Sequence, residues 1–435
     1  MSVDAALRAT YAACDQSHVF THLDAGRISP GDAASFTAQL RAIDPALVGE
    51  LYAATMAAAG APAPAASLSP CNDVIRPAER TADVAAWRAA GLAAVAAGHA
   101  AALILAGGQG TRLGFDRPKG EYDLGLPSGR TLFALQAARL QRLRVLAAAG
   151  AGAPLPSLPL YVMTSPMTDA DTRAFWAAEG YFGLPPGDVV FFCQGTLPCL
   201  SPEGRILLEA GGRVAEAPDG NGGIYRALHV QGVVADMRRR GVRGVHVFAV
   251  DNAVVLPACP VFLGLCLSMG ADVGSKVCAK AGPHEKVGVL CKVGGGYSVV
   301  EYSELDKATA ELRGADGQLV YNTGNLCIHY YSVDFLEGPC SPAQLPKVYH
   351  LAKKVRARQR RTFGPNATPT PFFHSPFSHT RRPRAVHPRR GSRHRRDHGQ
   401  GGHGGGLQGR QQRHQAGVLH FRCVPRRKEN GGAGD

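Results

Sequence analysis

The residues most suggestive of chemistry form the run Leu105-Ala106-Gly107-Gly108-Gln109-Gly110-Thr111-Arg112-Leu113-Gly114, followed closely by Pro118-Lys119-Gly120. Glycines at this density let the backbone approach a ligand and turn successive N–H groups towards phosphate oxygens. Arg112 offers a bidentate fork and Lys119 a point charge, a pair suited to neutralising a polyphosphate. The same glycines also suit a purely structural turn, and composition leaves both uses open. Spacing removes two rivals. Gly108, Gly110 and Gly114 are one residue too widely spaced for a dinucleotide fingerprint, and no Lys follows Gly114 as a P-loop requires. The hydroxyl and acidic residues suggest no nucleophilic triad.

Such a loop needs a strand to enter it and a helix to leave it. Ala101-Ala102-Leu103-Ile104-Leu105-Ala106 is a short continuous apolar run ending at the glycines, the pattern of a buried parallel strand. Leu132, Leu135, Leu143 and Leu146 then mark a helix that ends near Gly150. Further strands are expected at 160–164, 189–192 and 245–250, with helices at 169–179 and 224–240. This alternation predicts an α/β domain with a mostly parallel sheet and helices on both faces. Residues 285–336 read as richer in strand, with a turn at Asp316-Gly317. Ahead of the first strand, Leu40, Ile43, Leu47 and Leu51 recur at helical spacing, an Ala/Pro linker spans residues 57–66, and residues 82–99 read as an Ala-rich helix. His246, inside an apolar strand, is expected to be a hydrogen-bonded core histidine. The resulting division is an N-terminal helical region over 1–99, a catalytic domain over 100–354 and a tail over 355–435.

The formal charge of +14 suggests a nucleic-acid binder until it is divided along the chain. Residues 356–435 hold 18 of the 48 basic side chains and 3 of the 34 acidic ones, leaving 30 basic and 31 acidic in residues 1–355. The body is therefore near neutral, without the concentrated basic face that phosphate-backbone binding needs. The tail loses periodicity and is dominated by Arg, His, Pro and Gly, too polar to supply a core, so disorder is expected. Eleven scattered cysteines without metal-ligand spacing imply free thiols in a reducing compartment. Residues 1–4 lack the pattern of a signal peptide, and no uncharged apolar run approaches the ~20 residues of a membrane span. A cytoplasmic protein without membrane partners is expected.

The glycine run followed by Pro-Lys-Gly closely resembles the hallmark of the eukaryotic-type UDP-sugar pyrophosphorylases. The likeness to their UDP-N-acetylglucosamine branch continues at 122–128, at Phe191-Phe192-Cys193-Gln194-Gly195 and at 217–228. It returns at Val250-Asp251-Asn252, at Val300-Glu301-Tyr302-Ser303-Glu304 and at Asn322-Thr323-Gly324-Asn325. It is dense from about residue 100 to 354, weaker before and absent beyond. The resemblance implies a nucleotide-diphospho-sugar transferase-like, Rossmann-like fold. It also implies transfer of the uridylyl group of UTP to N-acetylglucosamine 1-phosphate, with Mg²⁺ and with release of pyrophosphate.

By the same resemblance, Leu105, Gly107, Gly108, Arg112 and Lys119 would hold the nucleotide, with Arg112 and Lys119 the catalytic charges. Gln194 and Gly220 would read the uracil. Asn221, Glu301, Tyr302 and Asn325 would hold the sugar phosphate, Asn325 at its N-acetyl end, and Asp251 would hold the metal. On composition alone, residues 218–223 are also a plausible turn, Asp251 a cap, and Glu301 and Glu304 solvated charges at a strand edge. Three alternatives stay open: another sugar 1-phosphate (glucose, galactose or N-acetylgalactosamine), nucleotide binding without turnover, and nucleic-acid binding through the tail.

The tail carries a further expectation. Val355-Arg356 can be encoded by a string resembling an intron's donor end. Codons for residues 412–418, shifted by one base, can spell Asn-Gly-Ile-Lys-Leu-Glu, which resembles the family's C-terminal stretch. Residues 355–435 therefore read either as a retained-intron or frameshift product or as a genuine basic tail.

Overall fold

A computed structural model describes residues 4–58, 68–209, 212–219, 222–345 and 420–425. The chain divides into two units, Met1–Leu351 with Ala416–Asp435, and Ala352–Gln415; the second lies outside the described residues.

Fourteen strands are described: β1 (Leu68–Pro70), β2 (Ala100–Leu105), β3 (Leu160–Thr164), β4 (Val189–Cys193), β5 (Thr196–Pro198), β6 (Leu208–Glu209), β7 (Arg213–Val214), β8 (Glu216–Pro218), β9 (Gly244–Ala249), β10 (Ala271–Ala279), β11 (Val289–Val293), β12 (Gly296–Val300), β13 (Thr323–Ser332) and β14 (His420–Pro425). The main sheet runs β1-β11-β13-β9-β2-β3-β4, with β10 also on β13, β12 on β11 and β14 on β10. Strands β9, β2, β3 and β4 pair in parallel and form the core, whereas every pairing on the β13 side is antiparallel. The expected parallel sheet is thus the part that carries the glycine loop, and the strand-rich stretch after residue 285 builds the antiparallel flank.

Side chains alternate along β2 between two apolar cores. Ala100, Ala102 and Ile104 join Phe133, Leu140, Trp176 and Phe262 on one face; Ala101 and Leu103 join Ile224, Leu228, Val234 and Met237 on the other. Every residue of β2 to Ile104 is fully buried, which is why the strand reads as a continuous apolar run rather than an alternating one. Helices Thr81–Ala96, Leu132–Ala151, Asp169–Ala178 and Pro260–Ser268 supply the first layer, and Gly223–Val230 and Val233–Arg239 the second. The helix leaving the loop region is capped at both ends. Thr131 Oγ1 accepts from the Ala134 N–H, and Gly152 closes the C-terminus in the left-handed conformation.

Several local expectations differ from what is observed. The helix expected over 224–240 is two helices, because Gly232 takes a φ of 69° and breaks the turn. The Leu40–Leu51 stripe is divided between helices Pro30–Ala42 and Pro45–Ala58, since the first ends at its extended C-cap Ile43 and the second opens at Pro45. Residues 68–96, assigned above to an N-terminal helical region, contribute β1 and a core helix. That helix meets Pro260–Ser268 at backbone range: a Cβ at Gly264 would lie 1.8 Å from the Trp87 carbonyl oxygen, and one at Gly91 would lie 1.9 Å from that of Pro260. His246 is buried as expected but unsatisfied. Among the described residues neither ring nitrogen has a hydrogen-bond partner, and the ring is packed against Phe248 and Phe262. The tail, expected to lack regular structure, contributes β14, which pairs antiparallel with β10. It falls in the tail's most apolar stretch and meets the free edge of β10. The rest of 346–435 and residues 59–66 of the linker lie outside the described residues, while residues 57 and 58 belong to the helix Pro45–Ala58 rather than to a linker.

Candidate nucleotide and sugar site

The loop leaves β2 at the carboxyl end of the parallel strands, where open α/β sheets bind ligands. Leu105 ends the strand beside Ala249, its carbonyl accepting from the Val250 N–H at 3.1 Å. The loop folds back on itself: Gln109 bridges to Pro118, the Gly110 N–H donates to the Arg117 carbonyl, and the Lys119 N–H donates to the Gly108 carbonyl. Lys119 is thereby returned to the glycines, its side chain running alongside Gly108. Its Nζ lies 3.0 Å from Asp251 Oδ2, with the lysine side chain 27% and the aspartate side chain 52% exposed. Arg112 falls in a 3-10 turn, Thr111–Leu113, and its side chain is outside the described residues.

Gln194 stands just past β4, the third strand of the parallel core. Its backbone N–H donates to the Thr164 carbonyl, and its side chain packs on the loop: a Cβ at Gly107 would lie 2.7 Å from Gln194 Nε2. Gln194 is only 8% exposed. A buried amide laid against a glycine backbone is placed to offer donor and acceptor to a planar base. Gly220, expected beside it at the base, and Asn221, expected at the sugar phosphate, lie outside the described residues.

Glu301 and Asn325 meet around Gly288. Glu301 Oε1 would sit 3.4 Å from a Cβ there, and the Asn325 N–H donates to the Gly288 carbonyl at 2.8 Å. Asn325 Oδ1 accepts from the Cys327 N–H at 3.1 Å. Cys327 has a φ of 52° and lies where β13 slips register against β10. Desolvation, together with the carboxylates of Glu301 and Asp251, pushes its thiol pKa up, although the residue keeps a surface open to solvent. Both carboxylates therefore lie near this thiol. Tyr302 follows Glu301 with an exposed ring.

Three positioning side chains escaped the sequence reading. Gln136 Nε2 donates to the Val250 carbonyl, and Arg139 donates to those of Ala253 and Val255, so the helix Leu132–Ala151 pins the loop bearing Asp251. Gln231 holds Cys193 from both sides, accepting from its N–H and donating to its carbonyl. No local signal marks them, because each partner is 38 or more residues distant in sequence. A cavity of about 460 Å³ is lined by Asn72, Arg76, Cys278, Asp316 and others, among them Asn322 and Thr323 of the segment that carries Asn325. Among the described residues no three His, Cys, Asp or Glu side chains cluster as a metal site, and no helix is long and apolar enough to cross a membrane.

A two-cored α/β sheet with a glycine loop, a lysine and a carboxylate at the end of its parallel strands defines a doubly wound α/β protein. Comparison makes the class specific: residues 75–348 match the family model described as UTP–glucose-1-phosphate uridylyltransferase, and the chain belongs to that family. It is 46% identical over 276 residues to a UDP-N-acetylhexosamine pyrophosphorylase-like protein 1 of Xenopus tropicalis, covering 63% of this chain and 54% of that one. It is 39% identical to UDP-N-acetylglucosamine diphosphorylase 2 of Arabidopsis thaliana, covering 78% and 69%. The crystal structure of the uridine diphosphate N-acetylglucosamine pyrophosphorylase of Trypanosoma brucei superposes with a TM-score of 0.70 at 31% identity, over 81% of this chain and 71% of that one. The match spans about half the length of the first of these relatives.

Proposed function

We propose that this chain transfers the uridylyl group of UTP to N-acetylglucosamine 1-phosphate, forming UDP-N-acetylglucosamine and pyrophosphate. The observation that carries the reading is the meeting of Gly107, Gly108, Lys119, Gln194 and Asp251 at one end of the parallel core. The names of relatives support it: one is called a UDP-N-acetylhexosamine pyrophosphorylase-like protein, and two name UDP-N-acetylglucosamine.

In this reading the uracil lies against Gln194 and the phosphates follow the backbone of residues 107–108. Lys119 exchanges Asp251 for a phosphate oxygen, and Arg112 adds a second charge. Gly220 completes the base contact and Asn221 reaches the sugar phosphate, whose sugar meets Glu301, Tyr302 and Asn325. An oxygen of the sugar phosphate attacks the α-phosphorus in line and pyrophosphate leaves, so catalysis is mainly positioning and charge neutralisation. No side chain need form a covalent intermediate. Asp251 is half open and contributes a single hard oxygen ligand, which fits Mg²⁺ held chiefly by substrate phosphates and water. When bound, the ion supplies charge neutralisation at the phosphate oxygens.

The family takes its description from glucose 1-phosphate, which keeps a second specificity in play. A pyrophosphate-release assay with N-acetylglucosamine, N-acetylgalactosamine, glucose and galactose 1-phosphates decides between them. The proposal expects the highest kcat/KM for N-acetylglucosamine 1-phosphate. A preference for glucose 1-phosphate, or UTP binding without turnover, overturns it.

A further inference from the structure

Lys119 and Asp251 lie 132 residues apart in sequence, on the segments that follow β2 and β9. Both segments rest on the first two turns of one helix, Leu132–Ala151. On the lysine side Gly120 is seated against the Phe133 ring. An added Cβ would lie 2.0 Å from Phe133 Cε2, so only glycine lets the chain pass that close. The Tyr122 carbonyl then accepts from the Leu132 N–H at 3.1 Å. On the aspartate side Gln136 Nε2 donates to the Val250 carbonyl at 2.9 Å. Arg139 holds the carbonyls of Ala253 and Val255 at 2.6 and 2.9 Å, beyond Asp251. Phe133 and Gln136 stand three residues apart, on one face of the helix.

The Val250 carbonyl belongs to the planar peptide unit that leads into Asp251. Gln136 holds that oxygen, and the Leu105 carbonyl holds the Val250 N–H at 3.1 Å. The peptide units on both sides of Val250 are thus fixed, and the Asp251 side chain departs from a set origin. Core packing alone does not call for an amide at position 136. Gln136 is 1% exposed, and its helix neighbours Phe133, Ala137 and Leu140 belong to an apolar core. Its Oε1 has no hydrogen-bond partner among the described residues, and a buried acceptor left unpaired is destabilising. What the amide adds is the bond to Val250.

We propose that Gln136 is a positioning residue for metal-dependent nucleotide binding: through the Val250 carbonyl it keeps Asp251 in place when Lys119 leaves it for a phosphate. The inference rests on the uridine-nucleotide reading above and deepens it. In the free protein the ammonium itself restrains the carboxylate, at 3.0 Å. Once a triphosphate takes Lys119, that restraint is gone, and a half-open carboxylate would move with its loop. A backbone anchored to the helix leaves Asp251 available to a hard cation on the phosphates, with no loop to be ordered at the moment of binding.

The test is calorimetric titration of the full chain with UTP, in Mg²⁺ and in EDTA, alongside thermal melting. The native chain is expected to bind UTP about tenfold more tightly in Mg²⁺, or better. Gln136→Met, of similar length but without the donor, should bind UTP in EDTA within about threefold of native and lose about fivefold or more of the Mg²⁺ enhancement. Gln136→Asn, too short to reach the carbonyl, should do the same and replaces Gln136→Met if that variant does not fold. Asp251→Asn should abolish the enhancement. Adding Gln136→Met to it should change neither affinity by more than about twofold, since a residue that acts through Asp251 has nothing left to act on. If the Gln136 variants lower only the melting temperature and keep the native enhancement, Gln136 is merely structural and the inference fails while the nucleotide site stands. It fails equally if they weaken UTP alike in both buffers, or if the native affinity is the same in both. If the native chain binds UTP in neither buffer, the underlying reading fails and takes the inference with it.

Discussion

Lys119→Ala separates a stabilising ion pair from a ligand-binding charge. In the free protein Lys119 pairs with Asp251 at 3.0 Å, with 27% and 52% of the two side chains exposed. At that exposure a pair contributes roughly 0–1 kcal/mol, because solvent screens it and ordering both side chains costs entropy. For a domain of this size 1 kcal/mol shifts the melting temperature by about 2–4 °C, so the variant should melt within about 4 °C of the native chain. Against a triphosphate the same ammonium makes a charge-assisted contact worth about 1.5–3 kcal/mol. UTP affinity should then fall roughly 10- to 150-fold, at 1.4 kcal/mol per decade. Lys119→Arg should recover only part of the loss, since a planar fork replaces a point charge. Melting curves and UTP titrations on the same preparations decide the matter. A variant that binds UTP within threefold of native, or that loses binding only because it unfolds, refutes the assigned role.

Other outcomes follow from single contacts. Asn325→Ala should narrow the preference for N-acetylglucosamine 1-phosphate over glucose 1-phosphate in kcat/KM, because a site built to hydrogen-bond a group rejects analogues lacking it; an unchanged ratio removes Asn325 from the sugar site. Gly264→Ala places a methyl 1.8 Å from the Trp87 carbonyl oxygen, and overpacking of this kind costs about 1–3 kcal/mol or more. Denaturant unfolding should show that loss, and an unchanged midpoint would mean that the two helices separate freely. Burial holds His329 neutral down to about 4, and His246 well below its usual 6.5. Unfolded, both rings take up protons below about 6.5, so each lowers stability by about 1.4 kcal/mol per pH unit as pH falls from 6.5 towards 4. His246→Phe should flatten that slope in denaturant titrations at pH 6.5, 5.5 and 4.5; an unaltered slope would show that the native ring titrates normally.

What the sequence disclosed was local. The β2 strand and its glycine loop could be read because a doubly buried strand is a continuous apolar run and a phosphate loop is a dense glycine run. The close crossing of Gly91 and Gly264 could not, since neither glycine differs in its neighbourhood from a loop residue until the two helices meet. Gln136, Arg139 and Gln231 look like ordinary surface polar residues of helices and turns, and acquire meaning only from the carbonyls they hold. Gly232 falls inside the stretch that reads as one helix over 224–240, yet its positive φ divides that stretch in two. His246 was placed correctly in the core, but its unsatisfied nitrogens depend on which aromatic rings the fold brings to it.

The central claim is that the uridine nucleotide occupies the end of the parallel core. A crystal structure of the full chain with UTP tests it most directly. The account predicts the uracil ring beside Gln194, the phosphates along residues 107–108, and Lys119 Nζ within hydrogen-bond distance of a phosphate oxygen, released from Asp251. A nucleotide seated instead in the cavity lined by Asn72, Arg76 and Asp316, with the Lys119–Asp251 pair intact, would contradict it.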